Sequence, residues 1–394
     1  MLLAGSEVFA VTRDARFLYR PDPATPASNA FVPTTLRPCN PIFSCRANEY
    51  EVYIPSMLPG PISAGPAARS TPMFRVSSEW RPIPVQNGTT GHRLTADVRV
   101  TAVYGWFNFT PSLLHLVPEA DGDQIAAYEA LFGGPGSGSW RYPPAPCTDI
   151  LPGYFGSATW QAFFIRTASV PCMKSVTRDI PQLTVTDVIL LVEFRLPRPQ
   201  LAQAGLYSGM VRYSVGPGMD IDFGDAVLPR DPELLINLEL EVDPIFKVEF
   251  PGGSTLLSLE PDGGWLNWLN RGRKPTRLWR EQAFNFSTSI PFKMIMQCEH
   301  TSGNHCAIAA NDGHQVPVEI RMTLPPGMQD SAGRPVRDYL LNPHETPQLD
   351  PTRIILGQKG KLQFEVPRPD MESMLDHAGK AYSGQVTFIW DAQL

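Results

Sequence analysis

Forty-one prolines in 394 residues constrain this chain more than any other feature. A proline inside a helix removes a hydrogen bond and clashes with the preceding turn, at a cost of ~3 kcal/mol or more. Proline at about one residue in ten therefore excludes a bundle of long helices. No periodic glycine accompanies it, so the chain is not collagen-like. Apolar residues make up 43% and charged residues 18%, enough to build packed cores and too apolar for extended disorder. At roughly 150 residues per domain the length allows two or three domains, each with its own core. The formal net charge of -6 argues against a nucleic-acid partner, which would need a basic face. No run approaches 18 uninterrupted apolar residues, so no membrane-spanning helix is expected.

What remains is β structure. Runs rich in Val, Ile, Phe and Thr, broken by Pro, Gly, Asn and Asp, fall at 51–54, 94–107, 158–168, 183–194, 210–215, 235–250, 284–299, 316–324, 361–366 and 382–390, as strands between turns should. One helix is expected over 123–132. Asp121 and Asp123 can cap it, Ile125, Tyr128, Leu131 and Phe132 supply a face, and Gly133-Gly134 ends it. A second, shorter candidate spans 264–270, with Trp265, Leu266, Trp268 and Leu269. The fold class read from this pattern is all-β.

The expected domain boundary lies in 219–232, where Gly224, Pro229 and Pro232 interrupt a mixed-charge stretch. Directly afterwards Ile236, Leu238, Leu240 and Val242 alternate with Asn237, Glu239, Glu241 and Asp243. Residues two apart share one face of a strand, so this is a half-buried strand, read as the start of a new unit. The division expected is an N-terminal domain over 1–228, a linker over 229–234 and a C-terminal domain over 235–394. The Pro/Gly/Ser stretch 134–146 reads as a surface loop within the first domain.

The six cysteines form local couples, Cys39 with Cys45, Cys147 with Cys172 and Cys298 with Cys306. Six cysteines allow 15 pairings and spacing does not choose among them strictly. Neighbour pairing is the economical choice, and it points to an oxidising compartment. The amino terminus, Met1-Leu2-Leu3-Ala4-Gly5, begins an apolar stretch that Glu7 interrupts without a basic segment before it. It does not read as a complete signal peptide.

The final strand is the strongest physical signal. Gly384, Val386, Phe388, Trp390, Ala392 and Leu394 are all small or apolar, and they alternate with mainly polar residues up to the carboxylate. Such a stripe reads either as an ordinary terminal strand of its own sandwich or as a partner for strand addition. In the second case main-chain bonds supply affinity and alternate side chains fill pockets.

No catalytic constellation emerges. The chain has no G-x-S-x-G elbow, no Walker loop and no H-E-x-x-H. The loop Gly134-Pro135-Gly136-Ser137-Gly138 contains a proline and no following lysine to meet a phosphate. Asp220 and Asp222 are a carboxylate pair of the kind a glycosidase uses, although acidic residues in a turn are usually solvated. Cys298, His300, His305 and Cys306 contain the donor atoms of a zinc site. Their crowding into nine residues suits a disulfide-closed hairpin better, and no metal or cofactor is expected. Basic residues are few, so their clusters carry information. Trp140-Arg141 follows the glycine loop, and Arg166, Lys174 and Arg178 surround Cys172. A Cys147–Cys172 bridge would draw these groups together into a positive, aromatic-edged patch for an acidic sugar. The plainer alternative is a set of solubilising charges at strand ends.

Several segments in order carry a family resemblance. They are Leu235-Ile236-Asn237-Leu238-Glu239-Leu240-Glu241-Val242 with Pro244-Ile245-Phe246-Lys247-Val248, then Phe284-Asn285-Phe286-Ser287-Thr288-Ser289-Ile290-Pro291-Phe292-Lys293 before Cys298, and the ending Tyr382-Ser383-Gly384-Gln385-Val386-Thr387. The layout resembles the CblD-like pilus biogenesis initiators, the tip adhesins of colonisation-factor and cable pili of Gram-negative bacteria. The resemblance implies two immunoglobulin-like β-sandwich domains, an N-terminal adhesin domain and a C-terminal pilin domain lacking one strand. It further implies a periplasmic chaperone that donates that strand, an outer-membrane usher, and a major pilin whose N-terminal extension replaces the chaperone. Initiation of the pilus, a fimbrium-tip location and adhesion to a host glycan or glycoprotein receptor follow from the same resemblance. On this reading Val386, Phe388, Trp390 and Leu394 meet the donor strand, and Trp140, Arg141, Arg166, Lys174 and Arg178 are the receptor-binding candidates. A secreted β-sandwich carbohydrate-active enzyme and a jelly-roll coat protein are the alternative classes.

Overall fold

The structure is a computed structural model describing residues 10–24, 30–40, 45–133, 140, 142–151, 155–157, 159–166, 168–252, 256–272, 274–377 and 379–392. The glycine loop 134–138, Arg141 and Leu394 lie outside the described residues, as does the amino-terminal stretch. The chain forms two compact units, and strands dominate both. No helix among the described residues is long and apolar enough to cross a membrane.

The first unit comprises Met1–Leu18, Phe31–Pro197 and Leu206–Glu241. Its principal strands are β1 (Val11–Tyr19), β2 (Glu49–Ile54), β3 (Arg81–Asn87), β4 (Arg93–Thr110), β5 (Trp160–Arg166), β6 (Ile180–Arg195), β7 (Gly205–Ser214) and β8 (Glu233–Val242). They hydrogen-bond in the order β1-β8-β7-β3-β4-β6-β2, with β5 along the C-terminal half of β4. β4 and β6 form the long axis, antiparallel from Gln182 opposite Thr110 to Arg195 opposite Asp97. The register slips near Asp187, which adopts a left-handed φ of 47°, the local signature of a bulge that bends the pair. Phe17 of β1 packs edge-on against Tyr50 of β2 and Phe194 of β6, with centroids 5.8 and 5.4 Å apart. These strands stand far apart in the strand order, so the sheet folds over on itself and encloses a core. Farther along that core, Phe74, Phe107, Trp140 and Phe163 pack ring against ring.

The expected helix forms as α1 (Gln124–Leu131). Asp123 caps it, its carboxylate accepting from the N–H groups of Ile125 and Ala126 and satisfying donors that a helix start leaves unpaired. Tyr128 and Phe132 dock on Phe109, whereas Ile125 is exposed. Ala127 takes the buried place that the apolar spacing assigns to Ile125.

β8 is where sequence and structure divide the chain differently. It was expected to open the C-terminal domain, but it hydrogen-bonds between β1 and β7 in the sheet of the first unit. Ile236, Leu238 and Leu240 are fully buried there. Alternation shows that a strand has a buried face but does not say in which sandwich. The second unit takes up at Val242 and also includes Tyr19–Ala30 and Arg198–Gly205.

The second unit is a β-sandwich. One sheet runs β9 (Phe246–Glu249), β10 (Leu278–Thr288), β15 (Ile355–Val366), β13 (Gln315–Thr323) and β12 (His305–Ala310), ending with the short strand His300–Ser302. The facing sheet runs from Met328–Asp330 through β14 (Gln348–Pro351) and β11 (Phe292–Cys298) to β17 (Val386–Ala392). A two-residue strand, β16 (Tyr382–Ser383), pairs with β12. Between the sheets lie Phe284 and Phe286 of β10, Phe292, Met294 and Met296 of β11, Ile320 and Met322 of β13, and Leu362 of β15. The unit also has two helices: α3 (Arg368–Asp376) packs Met371, Met374 and Leu375 on this core, whereas α2 (Trp265–Arg271) leaves Trp265 and Leu266 exposed.

Candidate functional site

The final strand forms an edge. β17 is the last strand of its sheet, and among the described residues it pairs with β11 alone. The register sets Met294 opposite Trp390, Met296 opposite Phe388 and Cys298 opposite Val386. Val386, Phe388 and Trp390 point towards the core, yet each is only half-buried, while Thr387, Ile389 and Asp391 are exposed. The backbone phase follows from the adjacent contact, in which Glu299 N–H donates to the Gln385 carbonyl at 2.9 Å. Antiparallel pairs alternate between bonded and unbonded positions. Thr387, Ile389 and Asp391 therefore bond to β11, and Val386, Phe388 and Trp390 turn their N–H and C=O groups to the open side. Among the described residues, the same three offer backbone groups with no strand partner and incompletely covered apolar side chains.

The opposite sheet supplies a second rim. β9 is also an end strand, with Phe246 and Val248 half-buried and Lys247 and Glu249 exposed. Phe246 packs on Phe286 and Phe292 at 6.0 and 5.1 Å. Trp390 packs on the same rings at 6.0 and 5.6 Å, and on Phe284 at 5.5 Å. Two aromatic side chains from two sheet edges thus converge on one floor of fully buried phenylalanines. Phe246 and Val248 were not singled out as site residues, although their alternation was visible. Nothing in a single sequence says which two edges of a sandwich lie side by side.

The three disulfides join Cys39–Cys45, Cys147–Cys172 and Cys298–Cys306, the neighbour pairing. Cys298 and Cys306 are thereby engaged as a bridge, not as thiolate ligands. Cys39, Cys45 and Glu49 also sit close together, but two of the three are disulfide sulfurs and Glu49 is held by Arg166.

The receptor-binding candidates are dispersed. Trp140 is fully buried in the aromatic core of the first unit. Lys174 is also buried, with its Nζ 5.9 Å from the Trp140 ring, and burial pushes its ammonium down to about 8. These two are brought together, but in the interior. Arg166 lays its guanidinium on the Glu49 carboxylate, whose side chain is fully buried. Burial alone would raise the Glu49 pKa. Hydrogen bonds from Arg166, Thr101 and the Arg46 N–H outweigh it and hold the carboxyl below its ordinary range. Arg178 is the exposed member of the set, paired with Glu119 and 3.4 Å from the Leu116 carbonyl. Glu49 carried no sequence signal, since 117 residues separate it from Arg166.

The glycosidase-like carboxylates are likewise engaged. Asp222 is buried and accepts from Arg69 at 2.9 Å. Asp220 accepts from Arg81 at 3.1 Å, and that hydrogen bond draws it down to about 2 despite partial burial. A general acid must hold its proton near the operating pH, and Asp220 is set against doing so.

No protein-family model matches the chain, and no curated protein does. Solved structures similar to it include tip adhesins and chaperone complexes of chaperone-usher pili. CfaE, the adhesive subunit of CFA/I fimbria of enterotoxigenic Escherichia coli, shares 9% identity over 98% of this chain and 95% of that one, with a TM-score of 0.30. A chaperone–tip adhesin complex of CFA/I fimbriae shares 8% identity over 98% and 97%, with a TM-score of 0.30. The CsuC–CsuE chaperone–tip adhesion subunit complex of archaic Csu pili of Acinetobacter baumannii shares 9% over 97% and 98%, with a TM-score of 0.24. These are the proteins that the sequence layout resembles. Identities and TM-scores this low carry no argument about function, which must rest on the chain's own geometry.

Proposed function

We propose that this chain is a fimbrial tip adhesin whose C-terminal unit is an incomplete pilin sandwich completed by a donor strand. The observation that carries the reading is β17, an edge strand whose inward stripe Val386, Phe388 and Trp390 is left half-buried beside the rim formed by Phe246 and Val248. An open edge of this kind invites pairing, and an alternating apolar strand would supply both the backbone bonds and the missing cover. In this reading a periplasmic chaperone supplies that strand first. A major pilin supplies it after passage through an outer-membrane usher, leaving the adhesin at the fimbrium tip, where assembly began. The first unit, with its separate core, carries adhesion to a host glycan or glycoprotein. The three disulfides suit export through an oxidising compartment. No catalytic step is proposed, because the carboxylates that offered one are each held by an arginine.

The test is to fuse an alternating-apolar donor peptide beyond Leu394 by a short flexible linker. The fused chain should be monomeric and melt well above the unfused chain, since each kcal/mol raises the melting temperature of a unit this size by about 2–4 °C. An unfused chain that is already monomeric and gains nothing from the donor overturns the reading.

A further inference from the structure

The short helix expected at 264–270 forms as α2, and its apolar face is turned outward. At about 3.6 residues per turn, Trp265, Leu266 and Trp268 share roughly half of the helix circumference, with Asn267 behind them. Trp265 is 41% exposed and Leu266 69%, and the two indole rings stand 6.0 Å apart. The core of the second unit takes Leu257, Leu259 and Leu278 from either side of α2 but, among the described residues, no side chain of the helix itself. Local bonds hold the helix instead. Asn267 Nδ2 donates to the Gly263 carbonyl at 3.0 Å, and Gly272 closes the end in a left-handed conformation with φ 64°. A seven-residue helix gains little from its backbone alone, so an apolar face held outside the core is a contact surface.

Charge identifies what it contacts. The whole chain carries a net charge of -6, yet 260–280 holds five cations, Arg271, Arg273, Lys274, Arg277 and Arg280, against two carboxylates, Glu260 and Asp262. Arg277 pairs with Asp262 at 2.9 Å and with Glu365 at 3.2 Å, and Arg280 lies 3.9 Å from Glu260. The local carboxylates are thus taken up by Arg277 and Arg280, and Arg271, Arg273 and Lys274 are in excess over them. Lys274 is exposed, with no acidic partner among the described residues. These three cations follow the apolar face directly in the sequence.

We infer that α2 is an interfacial helix that settles on an anionic lipid bilayer, with Trp265 and Leu266 at the boundary between headgroups and acyl chains and the basic run against the lipid phosphates. Tryptophan suits that depth, because its ring is apolar while its N–H stays hydrated. An amphipathic helix followed by basic residues lies on a membrane rather than crossing it, and seven residues are far too few to span one. A protein partner would also cover the apolar face but would have no general need of the cations. Contact through α2 requires no donor strand. Each Lys or Arg at an anionic surface strengthens binding about fivefold, so three in excess give about a hundredfold preference over a neutral bilayer. Withdrawing Leu266 from water adds roughly tenfold on either surface.

The experiment is cosedimentation of the full chain with vesicles of phosphatidylcholine alone and of equimolar phosphatidylcholine and phosphatidylglycerol. Binding should be about a hundredfold tighter to the mixed vesicles and should weaken as salt is raised. Trp265→Ser with Leu266→Ser should lower it at least tenfold, and Lys274→Glu at least about fivefold. All three positions are exposed, so the thermal transition of each variant should stay close to that of the unaltered chain. Mixed vesicles whose phosphatidylcholine carries brominated acyl chains should quench part of the tryptophan emission, and Trp265→Phe, which keeps an aromatic ring, should reduce that quenching. Equal binding to both kinds of vesicle, binding to neither, full-strength binding by the folded double variant, or undiminished quenching in Trp265→Phe would each overturn the inference. So would loss of vesicle binding once a donor peptide is fused beyond Leu394, which would assign α2 to a protein interface.

Discussion

Trp390 and Phe292 lie on neighbouring strands with ring centroids 5.6 Å apart, yet Phe292 is wholly buried and Trp390 only half so. Contact with the core and cover from solvent are separated at this edge. β17 is held to the sandwich by its pairing with β11 and by the aromatic floor, while among the described residues no strand pairs with its other side. The half-burial recurs at Val386 and Phe388 and on the facing rim at Phe246 and Val248, so it is a property of the edge and not of one side chain.

The first prediction compares two faces of one strand. Trp390→Asp or Phe388→Asp should abolish capture of a chaperone or donor peptide, because a carboxylate would be buried without a partner. Ile389→Asp, on the exposed face, should leave capture intact. Phe388→Ala should cost the donor-bound protein about 3–5 kcal/mol, the usual penalty for a fully buried ring, and the unfused protein less. Thermal unfolding of fused and unfused pairs checks this, and equal losses in both forms would count against the open groove.

The second prediction concerns the Arg166–Glu49 pair. Removing one partner of a buried ion pair strands the other, at a cost of about 3–5 kcal/mol. Arg166→Met should therefore destabilise the first unit by that order, whereas Arg166→Met with Glu49→Leu should recover most of the loss. The folded Glu49 carboxyl is depressed, so its contribution is complete above its ordinary range and is lost as pH falls through the lower folded value. Acid denaturation followed by circular dichroism should show this loss in the unaltered protein and not in the double variant.

Much of the fold was legible because strands advertise themselves by alternation. β13 reads Val316, Val318, Ile320 and Met322 on one face, and all four are buried. The α1 cap at Asp123 was equally plain. β3 was missed, since Pro82 and Pro84 discourage a strand reading. The strand survives because both prolines fall between the positions that bond to β4, and β7 pairs with Gln86 and Asn87 rather than with them. α3 was missed behind Pro367 and Pro369, although Met371, Met374 and Leu375 follow helical spacing. The stripe on β17 was visible and its open edge was not, because pairing partners are a tertiary property. The receptor candidates show the same limit from the other side. Charge was legible, but whether Arg166 faced solvent or Glu49 depended on a contact 117 residues away.

The third prediction rests on loop length. The bridges Cys147–Cys172 and Cys298–Cys306 close separations of 25 and 8 residues. In the chain-entropy picture these contribute about 3.5 and about 2.5 kcal/mol. Replacing both cysteines of a bridge by serine should therefore cost the first unit about 1 kcal/mol more than the second, as read by urea unfolding. Non-reduced peptide mapping should recover three local bridges, and any other pairing contradicts the structure.

A fourth prediction follows from Lys174. Its folded ammonium is lowered by burial to about 8, below the ordinary lysine value. Between those two values the unfolded chain holds a proton that the folded chain has released, so stability should rise with pH across about 8 to 10. Below that range the burial penalty is constant. Lys174→Met should flatten the rise, and urea midpoints across this range for both proteins provide the check.

The last prediction separates the receptor candidates by exposure. Arg178 presents its side chain to solvent, 43% exposed beside Glu119 at 52%, whereas Trp140 and Lys174 are interior and Arg166 is occupied. An exposed ion pair contributes at most about 1 kcal/mol, so Arg178→Glu should leave folding close to normal. If the acidic-receptor patch lies on this face of the first unit, the same change should reduce adhesion at least tenfold, and more strongly at low salt, because exposed charges are screened within about 10 Å at 0.1 M ionic strength. Binding to sialylated or sulfated glycans, measured with donor-complemented protein, decides it. A folded Arg178→Glu variant that adheres at full strength removes Arg178 from the site, and the search for the receptor contact then moves to other exposed surfaces of the first unit.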